Sequence, residues 1–118
     1  MNHQNGRKRL NLETGHRTAL LRNQVIVFIE HGHVVTTKAR AKQVQRLAEK
    51  LVTIAREGNV FNARRRAKSL LPYKEEALVK LFMDIAPRYV NRPGGYTRMI
   101  PLGQRMSDTS TMAKLEWV

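Results

Sequence analysis

The spacing of apolar side chains changes period along this chain, and each change marks an element. Leu21, Val25, Phe28 and Ile29 recur at the helical repeat and Gly32 offers a stop, which predicts a helix from a cap at Thr14 to about His31. "HVVTT", His33 to Thr37, is β-branched at four adjacent positions and reads as a short strand. Ala41, Val44, Ala48, Leu51 and Ala55 mark one face of a second helix, capped by Thr37 and ended by Gly58. Asn59 to Leu71 reads as a shorter third helix, stopped by Pro72. A fourth starts near Tyr73, where Glu75 and Glu76 suit the positive end of the helix dipole. It buries Leu78, Leu81, Phe82 and Ile85 and is limited by Pro87.

Beyond Pro87 the period falls to two. "YTRMIPL" and "TMAKLEWV" alternate as strands do, with Ala113, Leu115 and Trp117 on one side, and "GQRMSDTS" joins them into a hairpin. The order is helix, short strand, three helices, two-stranded hairpin. It predicts a single α+β domain over residues 14–118, with helices packed on one face of a small mixed sheet. Residues 1–13 contain "GRKRLN" and little to bury, so they read as a basic N-terminal arm, expected to order on a polyanion.

Charge narrows the function. The chain carries 22 Lys and Arg against 9 Asp and Glu, a net +13, while its 42% hydrophobic content excludes a disordered polycation. Such an excess repels itself in a compact state and favours a polyanionic partner, nucleic acid first and an acidic membrane surface second. The longest apolar run is Val25 to Ile29, far short of a membrane span, and no secretory pattern is read. The absence of cysteine excludes disulfides and thiolate metal sites.

Catalytic patterns are missing. The acids fall mostly on helix faces, and none sits with a histidine or serine in a recognisable arrangement. His31 and His33 flank a glycine but do not reach the three or four ligands zinc requires. "NRPGGYTR" lacks the lysine and spacing of a phosphate-binding loop and the third glycine of a dinucleotide motif. Its glycines make a turn. Arg92 and Arg98 beside Tyr96 would suit phosphate and an unpaired base. Further cations come in runs: Arg7, Lys8 and Arg9; Arg17 and Arg22; Lys38, Arg40 and Lys42; Arg64, Arg65 and Arg66. One run would be a wet surface, but several in one small domain point to nucleic acid.

At this point "GRKRLN", "GHRTALLRNQ", "VVTTKARAKQVQRLAEKLVTIAREGN" and "GGYTRMIPLGQRMSD…MAKLEWV" resemble bacterial large-subunit ribosomal protein seventeen, in the same order over nearly the whole chain. The pattern matches at Gly6, Arg7, Lys8, His16, Arg17, Arg22, Asn23, Thr36, Thr37, Ala41, Gly94, Gly95, Tyr96, Thr97 and Arg98. It departs where Asn2, Gln4 and Asn5 replace cations, where Pro101 takes a place often basic, and where Ser107 and Thr111 replace a glycine and a proline.

The resemblance implies a structural protein, not an enzyme, with an α-plus-β core and a basic N-terminal portion. Its partners would be large-subunit 23S-type rRNA, near the outer end of the nascent-chain exit tunnel, and neighbouring large-subunit proteins. No cofactor, metal, small-molecule substrate or membrane is expected. The compartment would be the cytoplasm of a bacterium, or an organellar ribosome. Cation runs and resemblance together give Arg7, Lys8, Arg9, His16, Arg17, Arg22, Lys38, Arg40, Lys42, Arg64, Arg65, Arg66, Arg92, Tyr96, Arg98 and Arg105 as candidate RNA contacts. The competing readings are a free RNA- or DNA-binding accessory protein and a nuclease or RNA-modifying enzyme. The scattered acids count against the last.

Overall fold

A computed structural model describes residues 13–58 and 61–118, so the arm with Arg7, Lys8 and Arg9 lies outside the described residues. The elements are α1 (Thr14–His31), β1 (His33–Thr37), α2 (Lys38–Ala55), α3 (Phe61–Leu70), α4 (Glu75–Lys80), β2 (Thr97–Gln104) and β3 (Thr111–Trp117). The α+β class and the order of elements agree with the sequence pattern.

Element ends follow local chemistry. Thr14 is the first residue of α1 rather than its cap. Extended Glu13 takes the cap position, and its carbonyl accepts the Arg17 N–H at 2.8 Å. At the other end Gly32 adopts φ 82°, a conformation that costs glycine nothing, and donates its N–H to Phe28 O at 2.9 Å. Thr37 ends β1 and caps α2 directly, its hydroxyl accepting the Arg40 N–H at 3.5 Å. The second helix stops at Ala55, and Gly58 serves the turn beyond it.

Pro87 does not end the fourth helix as its sequence position suggests. The chain widens into a π turn over Leu81–Ile85, where the Ala86 N–H reaches Leu81 O, and then tightens into a 3-10 turn over Ala86–Tyr89. A regular α-helix would need an N–H from residue 87 for the Met83 carbonyl, and the proline ring would collide with that carbonyl. The wide turn before the proline and the tight turn after it let the helical path continue to Tyr89.

The sheet is wholly antiparallel, which corrects the mixed sheet expected. Its order is β1-β3-β2, with β3 running against both neighbours. The hairpin forces β2 against β3. The free edge of β3 is then filled by β1, so that Val34 pairs with Leu115 and Thr36 with Ala113, all four facing inward. Edge strand β2 tolerates Pro101, and a bulge between Pro101 and Gly103 leaves Leu102 without a partner.

The core lies between the sheet and the helices. Val25 and Phe28 of α1, Val44, Leu51 and Val52 of α2, and Leu115 of β3 have no exposed surface. Trp117 stacks on Phe28 with ring centroids 4.2 Å apart. The Tyr89 hydroxyl donates to Val118 O at 2.8 Å, and burial raises its pKa above the usual phenol value.

Candidate nucleic-acid interface

Helix α2 is two-faced. Ala41, Val44, Ala48, Leu51, Val52 and Ala55 are buried on the core side. On the outer side Lys38, Lys42, Arg46 and Lys50 recur every four residues and all are exposed. Among the described residues none of the four forms an ion pair. Arg46 and Lys50 escaped the sequence reading because each stands alone in the chain. The available signal was the four-residue step from Lys38, taken against the apolar face. Lys38 and Lys42 also border an open depression of about 480 Å³ with Thr37, Ser110 and Thr111. The start of α2 lies there, where its free N–H groups and dipole favour an anion. Arg40 is half-buried on the same turn.

A second groove, about 300 Å³, runs between α1 and α2 and is lined by Thr18, Leu21, Arg22, Gln43, Arg46, Leu47, Lys50 and Leu70. It brings the end of the α2 stripe next to Arg22. Arg22 is also a helix clamp. Its Nε donates to Leu70 O at 2.9 Å and its guanidinium lies 5.5 Å from the Tyr73 ring centroid. A cation there satisfies carbonyls at the negative end of α3. His16 is exposed and Arg17 half-buried in the first turn of α1.

The "GGYTR" stretch requires a correction. Tyr96, expected to stack on a base, is 1% exposed and belongs to the core. Gly95, at φ 62°, turns the chain inward, and the Tyr96 ring tilts against Tyr89 at 5.3 Å. Arg56, at the end of α2, donates to the Tyr96 hydroxyl at 2.9 Å and to Val90 O at 3.3 Å. Thr53 Oγ1 lies 3.3 Å from the same hydroxyl. Glu49 accepts from the Thr97 hydroxyl at 2.7 Å and the Thr97 N–H at 3.3 Å, while Gln45 donates to that hydroxyl at 2.9 Å. Three side chains of α2 and that of its C-cap residue Arg56 therefore fix where β2 begins. The glycines and the aromatic build the fold. Only the flanking arginines face outward.

Three of the outward arginines have internal partners. Arg98 Nε donates to Glu116 at 2.8 Å across the strand pair. Arg105 makes a two-pronged contact with Asp108 at 3.0 and 2.7 Å, and this holds the Asp108 carboxyl well below the usual carboxylate range. Arg66 of α3 pairs with Glu57 at 2.6 Å. Arg92 is exposed in the turn, its N–H donated to Tyr89 O at 3.0 Å. Arg64 and Arg65 are exposed on α3 with no ion pair among the described residues. No three His, Cys, Asp or Glu among the described residues gather to hold a metal, and no described helix is long and apolar enough to cross a membrane.

A family model described as ribosomal protein L17 matches residues 20–118. The large ribosomal subunit protein bL17 of Trichlorobacter lovleyi is 42% identical over 118 residues, covering all of this chain and 94% of that protein. The protein of that name from Desulforudis audaxviator is 46% identical over 113 residues, 96% of this chain and 99% of its own. The Geotalea daltonii protein is 44% identical over 118 residues, all of this chain but 64% of its own length.

Proposed function

We propose that this chain, which belongs to the ribosomal protein L17 family and is a structural constituent of the large ribosomal subunit, binds and organises large-subunit rRNA. The family is structural and not enzymatic. Its bacterial relatives work in the cytoplasmic ribosome, and so does this chain. The observation that carries rRNA binding is the outer face of α2, where Lys38, Lys42, Arg46 and Lys50 form a cationic stripe, without an ion pair among the described residues, on a helix fixed by its other face. A row of positive charge on a rigid rod can follow a phosphate backbone. Each phosphate it neutralises releases counterions and contributes about −0.7 to −0.9 to the slope of log affinity against log salt.

The reading divides the chain into a basic arm, residues 1–13, and a body, residues 14–118, that together hold neighbouring RNA segments. Arg7, Lys8 and Arg9 supply the arm's charge, and Arg17 stands where arm and body meet. The resemblance described above supports a position near the outer end of the nascent-chain exit tunnel, beside other large-subunit proteins. The test is binding of the full chain to purified large-subunit rRNA across a salt series. Arg46→Glu with Lys50→Glu should lower affinity about tenfold or more and flatten the salt slope, with an unchanged thermal midpoint. An unchanged affinity would remove α2 from the interface.

A further inference from the structure

Helices α3 and α4 enclose an open cleft of about 480 Å³ whose lining is unlike a solvent-facing surface. Phe61 is 70% exposed, Val79 56% and Met83 66%, above a floor of Leu78 and Phe82. The cause is local. Ala63 and Ala67 have no exposed surface, so the short side chains of α3 face the core and its long ones face outward. Val79 and Met83 lie one turn apart on the outer side of the next helix, where lysine or glutamate would suit solvent. Contiguous exposed apolar surface of this kind marks an interaction site, and methionine adapts to an incoming side chain.

The rim adds a sign. Arg64, Arg65 and Lys68 line the cleft, and among the described residues none has a carboxylate partner. Glu75 is the acid of the lining. We propose that this cleft docks an amphipathic segment of a neighbouring protein, with apolar side chains against Phe61, Val79 and Met83 and carboxylates against Arg64, Arg65 and Lys68. The proposal rests on the reading of the chain as a ribosomal subunit. RNA fits the rim, but the apolar lining of Phe61, Leu78, Val79, Phe82 and Met83 offers a base or ribose no hydrogen-bond partner. A second copy docked through the same cleft would set like-charged rims together in a chain of net charge +13. An acidic amphipathic segment satisfies floor and rim together, in the manner of a helix laid in a groove.

Photocrosslinking tests this in the assembled particle. The full chain carrying Met83→p-benzoylphenylalanine, or Val79→p-benzoylphenylalanine as a second attachment point, is incorporated into large subunits in cells. The purified subunits are irradiated and the joined residues identified by mass spectrometry. The expected product is one protein segment bearing at least two apolar side chains and a nearby Asp or Glu. A synthetic peptide of that segment should bind the free full chain. Its affinity should fall about tenfold or more with Val79→Ser and Met83→Ser together, and separately with Arg64→Glu and Arg65→Glu together. A product with rRNA, with a second copy or with the chain's own residues 1–12 overturns the proposal. So does the absence of a product from subunits that contain the probe, or a peptide affinity indifferent to both pairs. Failure of the wild-type chain to co-sediment with large subunits would sink the ribosomal reading itself, a result separate from any outcome at the cleft.

Discussion

The cations of α2 and those of the β2–β3 hairpin differ in one respect: the hairpin answers its own charge and the helix does not. Arg98 has Glu116, and Arg105 has Asp108, both on strands or loops a few ångströms away. Lys38, Lys42, Arg46 and Lys50 have no such partners among the described residues. An arginine already bonded to a carboxylate has less to gain from phosphate, because that bond must be shared or broken first. Cations that look alike in the sequence thus divide into those that shape the fold and those left over for a partner.

The most severe way to probe this division is at the turn that launches the hairpin. Tyr96→Ala should cost about 3–5 kcal/mol of stability in denaturant unfolding, since it empties a fully packed aromatic site. RNA affinity of the remaining folded fraction should hold. A large affinity loss with stability intact would return Tyr96 to the interface. Arg56→Met is expected to cost about 1.5–3 kcal/mol, because it removes charge-assisted bonds to the Tyr96 hydroxyl and Val90 O while keeping the length of the stem.

A direct contrast between the two regions comes next. Arg46→Ala should reduce the magnitude of the salt slope of rRNA binding by about 0.7–0.9, the share of one lost phosphate contact. Arg98→Ala should reduce it by clearly less, and should change stability by at most about 1 kcal/mol, as exposed ion pairs do. Equal slopes for the two variants would abolish the distinction.

The smallest effect concerns acid. The Arg105 guanidinium and the Ser110 backbone lower the folded-state value of Asp108, and a hydrogen bond from Lys74 lowers that of Glu30. The stabilisation from each pair is therefore complete above the ordinary carboxylate value of about 4 and is lost as pH falls through the lowered one. NMR titration of the Asp108 side-chain carboxyl from neutral pH to about 4 should show no transition. A midpoint near 4 would mean that the hairpin loop is not held by this pair.

Secondary structure was largely legible because it depends on local periodicity and capping. The alternating three- and four-residue apolar spacing of α2, the Thr37 cap and the Gly32 stop are each set by neighbours in the chain. The pairing of β1 with β3 spans some eighty residues and leaves no local mark, so the sheet's sense was not readable. The candidate site was legible in charge but not in commitment. Nothing near Arg22 in the sequence announces Leu70 O as its acceptor, and nothing near Tyr96 announces Arg56. Arg46 and Lys50 were missed for the opposite reason. They form no local run and become a stripe only once the helix is wound.

The wide turn before Pro87 has a further consequence for phase. Ala77, Leu81, Ile85 and Tyr89 are all buried, as are Leu78, Phe82 and Ala86. These are two rows with a strict four-residue step. In a regular α-helix four residues turn about 400°, so such a row drifts by roughly 40° at each step and would carry Tyr89 away from the core. A π turn rotates less per residue and takes back part of the drift, which keeps both rows aimed at the same neighbours. The extra residue acts as a splice that resets the winding just before the chain leaves the helix. Deleting one residue between Leu81 and Ile85 would impose ordinary winding and set the Pro87 ring against the carbonyl one turn before it. It would also swing Tyr89 off the Val118 carbonyl and out of contact with Tyr96, uncoupling the helical half from the closing strand.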